Sequence, residues 1–117
     1  MDASDLPYAA LDLPHPAREE LVLTQVLFAL SDPVRLEIVR EIAAGPKEMA
    51  ACDALRTDMP KSTRSHIAKV LREAGVIRSE PHGRHRLLRL RREDLDARFP
   101  GLLDSVLGAP QMADDQR

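Results

Sequence analysis

The hydrophobic period changes at Gly75, and this change limits what the chain can fold into more than any other feature of its sequence. Before it, from Lys61 to Ala74, apolar residues recur at helical spacing, and steps of about 100° put Thr63, Ile67, Val70, Leu71 and Ala74 on one side. The opposite side shows Ser62, Ser65, His66, Lys69 and Arg72, small hydrogen-bonding groups and cations with no apolar residue. After it the alternation is two-residue. Val76 to Ser79 reads as a strand, Pro81-His82-Gly83 as a turn, and Arg84 to Arg91 as a second strand with Leu88 and Leu90 facing inward. A helix stopped by a glycine and followed by a basic hairpin is therefore the predicted centre of the fold.

Three helices are predicted upstream. One runs from Pro16 to about residue 30 with Leu21, Val22, Gln25, Val26, Phe28, Ala29 and Leu30 on a broad apolar surface. Ser31-Asp32-Pro33 then provides a cap and a proline for a second helix reaching Ala44, with Leu36, Ile38, Val39 and Ile42 inward. Met49, Cys52 and Leu55 suggest a short third helix over Lys47 to Arg56, followed by a break in which Asp58 can cap and Pro60 can open the next turn. Downstream, 93–98 reads as a helical turn, and Pro100 starts a last helix whose Leu102, Leu103, Val106 and Leu107 leave little polar surface. With 117 residues there is room for one core. The expected organisation is a loose arm over 1–14, one domain over 15–108 and a loose tail over 109–117.

Charge is concentrated in the same central region. Residues 61–92 hold ten cations, Lys61, Arg64, Lys69, Arg72, Arg78, Arg84, Arg86, Arg89, Arg91 and Arg92, against Glu73 and Glu80, a local excess of eight. As the net charge is -2, the remainder carries -10. Such a block is the footprint of a surface that meets phosphate, although a solvated basic face would look the same from charge alone. The helical plan with a two-stranded wing, in the order α-α-α-α-β-β-α, is that of a winged helix-turn-helix. In that plan Lys61, Ser62, Arg64, Ser65, His66, Lys69 and Arg72 project from a groove-reading helix, while Arg84, His85 and Arg86 at the hairpin tip reach backbone or minor groove.

Three blocks resemble the arsenic-repressor (ArsR/SmtB) family of bacterial transcription regulators: Leu27-Phe28-Ala29-Leu30-Ser31-Asp32-Pro33-Val34-Arg35-Leu36, Lys61-Ser62-Thr63-Arg64-Ser65-His66 and Val70-Leu71-Arg72-Glu73-Ala74-Gly75-Val76-Ile77. The likeness spans about residues 20 to 107. It implies a homodimer that represses transcription from an inverted-repeat operator in double-stranded DNA, with the fourth helix reading bases. It also implies a dimer interface on the first and last helices, here Leu21, Val22, Gln25 and Phe28 with Leu102, Leu103, Val106 and Leu107. The apolar character of both helices points the same way.

The family's sensing chemistry matches less well. Where its thiol-type sensors carry Glu-Leu-Cys-Val-Cys-Asp, this chain has Glu48-Met49-Ala50-Ala51-Cys52-Asp53, so one thiolate is missing. Pro60 stands where the family usually has a Ser cap, and Ile67-Ala68 replaces a His-led pair. The last helix offers only Asp104 as a ligand, and the four histidines lack paired spacing. No metal and no cofactor are expected, and the effector is left open. Cys52 reads as a buried structural thiol, with a thiol- or metalloid-responsive repressor as the alternative. A winged helix used only for protein contact is the other alternative. No Gly-rich phosphate loop or nucleophile elbow suggests an enzyme, no apolar run approaches a membrane span, and the acidic start, MDASDLPYAA, predicts a cytoplasmic protein.

Overall fold

The computed structural model describes residues 10–55 and 59–109. A single helical turn over Arg18–Glu20 leads into α1 (Leu23–Leu30) and α2 (Pro33–Ala43). A two-residue strand, β1 (Lys47–Glu48), and a turn over Met49–Ala51 precede α3 (Lys61–Glu73). The hairpin β2 (Ile77–His82) and β3 (His85–Leu90) follows, then α4 (Arg92–Arg98) and α5 (Leu102–Gly108). The result is mainly helical with a small antiparallel sheet.

Local chemistry accounts for the boundaries. Asp32 Oδ2 accepts from the Val34 and Arg35 amides at 3.0 Å each, and Pro33 fills the first helical position, where its missing N–H costs nothing. The α3 terminus closes through Val76 N–H donating to the Leu71 carbonyl at 3.0 Å and Gly75 N–H to Arg72. Gly75 turns the chain with φ +84, and a Cβ there would lie 2.0 Å from Leu21 Cδ2. Glycine is thus required twice, for its backbone and for the close approach of the N-terminal segment.

The predicted third helix is not formed. Lys47 and Glu48 instead pair with Leu88 and Leu87 of β3, so the sheet has three strands in the order β1-β3-β2 and the expected two-stranded wing is corrected. An uncapped ten-residue helix has little intrinsic stability, whereas β1 covers an otherwise unpaired edge of β3. Spacing of three between Cys52 and Leu55 is met by a turn as well as by a helix, and both are buried. Glu41 of α2 organises this segment, accepting from the Asp53 and Ala54 amides and from Lys47 Nζ at 2.8, 2.9 and 3.0 Å. The expected Asp58 cap lies outside the described residues.

The first helix also begins later than predicted. Leu21 lies before it in extended backbone, 2% exposed, wedged beneath Gly75. With Val26, Ile38, Val39, Leu71, Val76, Ile77, Leu88, Leu95 and Leu103 it forms the core. Leu21 and Leu103, 2% and 0% exposed within one chain, are therefore core residues and not the interface residues expected of them. Thr63, expected inward, is exposed, while Ala68 is buried, so the inward face of α3 is turned toward Ala68. Two substitutions test this packing by chemical denaturation: Gly75→Ala should cost at least about 1 kcal/mol through its left-handed backbone and the Leu21 contact, and Leu103→Asp should unfold the chain.

Candidate nucleic-acid interface

Helix α3 buries Ile67, Ala68 and Leu71 and presents Lys61, Ser62, Thr63, His66 and Lys69 to solvent, with Arg64 and Ser65 half-buried. Its N-cap residue, Pro60, makes no side-chain cap, and the partial positive charge of a helix N-terminus favours an anion. Beyond it the hairpin closes on the pair His82 and His85, with Gly83 and Arg84 as the two tip residues and φ +61 at Gly83. The tip thus lies one residue further along than the predicted Pro81-His82-Gly83 turn; Pro81 belongs to β2, an edge strand that tolerates a missing N–H. His82, Gly83, Arg84 and His85 are all exposed. On the outer sheet face Arg78 and Arg89 stand opposite each other, and Glu80 lies between them at 3.8 and 3.4 Å. Such exposed pairs add little stability but lower the repulsion between like charges.

Two expected phosphate contacts point elsewhere. Arg86 shares the inner sheet face with Leu88 and is 3% exposed: its Nε donates to Ser79 Oγ at 3.0 Å, Nη2 to the Ser79 carbonyl and Nη1 to the Leu11 carbonyl. Arg72 is buried and donates to the Pro14 carbonyl at 3.3 Å. Arg91, a third member of the basic block, donates to the Pro16 carbonyl at 2.7 Å and pairs with Asp94. These guanidinium groups are spent on contacts within the fold. The cations left outward on α3 and the wing tip are Lys61, Lys69 and Arg84.

No family model matches the chain. Among curated proteins it is 29% identical over 89 residues to YceK of Bacillus subtilis, an uncharacterized HTH-type transcriptional regulator, covering 75% of this chain and 89% of the relative. Among solved structures, a possible transcriptional regulator for arsenical resistance is 30% identical, with 72% of this chain and 84% of that chain covered and a TM-score of 0.55. The chain belongs to the ArsR family of transcriptional regulators. The fold of another ArsR-family regulator agrees at a TM-score of 0.57 and 24% identity over 71% of this chain and 90% of that one. The repressor BigR from Xylella fastidiosa gives 0.50 and 24% over 66% and 85%.

Cys52 is the single cysteine of the chain. It is buried, its Sγ lies 3.6 Å from the Glu48 carbonyl, and burial, with Glu41 second, pushes the thiol pKa up to about 11. Among the described residues no three His, Cys, Asp or Glu side chains come together as a metal would need. No helix among them is long and apolar enough to cross a membrane. Val22 at the N-cap of α1 and Leu23, Leu27 and Phe28 within it are exposed, the last 63% exposed with the Arg35 guanidinium 5.1 Å from its ring centre. Gln25 is exposed beside them, and Leu102, Val106 and Leu107 of α5 are half-buried. Leu23 and Leu27 lie on the helix expected to form the interface, though they were not named with it, and both are exposed.

Because the thiolate is the reactive form, a thiol held near 11 should react with a maleimide far more slowly at about pH 7.5 than the same thiol in denaturant. Modification followed by mass spectrometry with and without urea measures this directly. Equal rates in both states would contradict a closed Cys52 site.

Proposed function

We propose that the protein is a repressor that binds an inverted-repeat operator as a homodimer, with α3 in the major groove and the wing tip on the flanking backbone or minor groove. The observation that carries this reading is the exposed row Ser62, Thr63, His66 and Lys69 on a helix whose other side is anchored in the core. A major groove about 12 Å wide admits one helix, and base edges there are read by short donors, acceptors and cations. Lys61, Arg64 and Ser65 flank the row, and Arg84 and His85 extend the cationic surface to the tip. Two copies are needed to match a two-fold operator, and the exposed Val22, Leu23, Leu27 and Phe28, continuous with Leu102 through a shallow groove lined also by Phe99 and Ser105, are the surface on which they would join. Cys52 serves packing in this reading, and no metal takes part.

The test is titration of duplexes selected from a random pool, against unselected DNA, at several salt concentrations. His66→Ala or Lys69→Ala should weaken the selected duplex by about 1 to 3 kcal/mol where the side chain contacts a base, with little change on unselected DNA. Arg84→Ala should weaken both alike and make the salt slope shallower by about one unit. Phe28→Asp should give monomers in sedimentation. An unchanged ratio of selected to unselected affinity in the helix variants would remove α3 from base reading. Absence of salt-dependent binding by the wild type would leave a protein-contact role.

A further inference from the structure

Residues 11–16, expected to be loose up to residue 14, lie as a strap beside the free edge of β2. Its carbonyls are taken by arginines from different elements: Leu11 by Arg86 of β3, Pro14 by Arg72 of α3, and Pro16 by Arg91 at the junction of β3 and α4. The reverse contact comes from His15, whose Nε2 accepts the Ser79 amide of β2 at 3.0 Å. We propose that His15 is a positioning residue for DNA binding: its neutral ring latches the strap that fixes the wing against α3, and its protonation releases the latch and weakens DNA binding. This rests on the DNA-binding reading above.

The geometry determines the direction. Only a neutral imidazole has a ring nitrogen able to accept a hydrogen bond, so a proton on Nε2 would set a donor against the Ser79 N–H. The charged groups facing the ring are cations from every element packed on it, Arg78 of β2, Arg72 of α3 and Arg91 beyond β3. Asp94 is paired with Arg91 and Arg18, and the strap's own Asp12 is exposed. Burial first, then those three arginines, hold the ring's pKa below the ordinary 6.5. A released ring therefore takes up protons at higher pH than the latched one. The latch contributes fully above about pH 6.5 and is lost as pH falls through the lower, latched value. His66, His82 and His85 are exposed and are shared by the wild type and a His15 variant, so the His15 effect is the difference between the two.

The control is His15→Gln, whose amide oxygen can accept from Ser79 without titrating. Between about pH 7.5 and 5.5, the wild type should lose roughly 2- to 10-fold in affinity for a selected duplex relative to His15→Gln, the effect of one hydrogen bond. A second readout needs no DNA and no variant. In NMR of the wild-type chain, the His15 ring should show an unprotonated Nε2 at about pH 7.5, and the Ser79 amide proton should shift in step with the ring's titration. Failure of DNA binding with an intact Ser79 titration would overturn the proposed function and with it the role given to His15 there. A Ser79 amide indifferent to His15 protonation, or parallel pH profiles for the wild type and His15→Gln, would overturn the latch.

Discussion

The bonds from arginine guanidinium groups to backbone carbonyls of the N-terminal segment are what the remaining architecture rests on. Arg86, Arg72, Arg91 and Arg98 together engage the carbonyls of Leu11, Pro14, Pro16, Glu19 and Leu21. That segment has no regular hydrogen bonding of its own apart from the turn at Arg18–Glu20, so these donors satisfy acceptors that would otherwise be stranded as the chain crosses the domain. Burying a guanidinium is costly unless its fork is filled, and Arg86 fills it with Ser79 and Leu11. The segment in turn delivers Leu21 beneath Gly75, at the point where α3 passes into β2. Helix α3 and the wing are thereby fixed to one another through a third piece of chain.

This arrangement explains which parts could be read in the sequence. The Asp32 cap with Pro33, the body of α3, the Gly75 stop and the hairpin were legible because each is set by local backbone chemistry. The partition of the basic block was not, since a sum of charges ignores side-chain direction. Part of the signal was nonetheless present: Arg86 shares the parity of Leu88 and Leu90, the residues read as inward, and the alternation that buried them should have turned Arg86 inward as well. No comparable signal identified Arg72, whose carbonyl partner lies 58 residues away in sequence. The third helix failed for another reason. Lys47 and Glu48 carry no β pattern, and their strand exists because β3 has an edge to share. Leu21 and Leu103 read as surplus apolar surface because helical periodicity carries no sign of the extended segment that completes the core.

Removing the structural arginines from the count sharpens the functional surface. The exposed cations left on α3 and the wing tip stand among small polar groups, the side-chain types that the proposed groove reading needs. Rigid support behind such groups matters because base readout depends on side chains placed to within about an ångström. In the proposed reading the His15 contact acts on DNA through this rigidity, since the strap it fastens touches β2, β3 and the end of α3.

The most direct test of this account is to follow backbone amide shifts as a selected duplex is added to the isotopically labelled protein. The account predicts that the largest changes fall on residues 61–69 and on 82–85, with those of Glu41, Cys52 and Leu55 nearly still. Changes confined to α1 and α5, or an undisturbed α3, would contradict it.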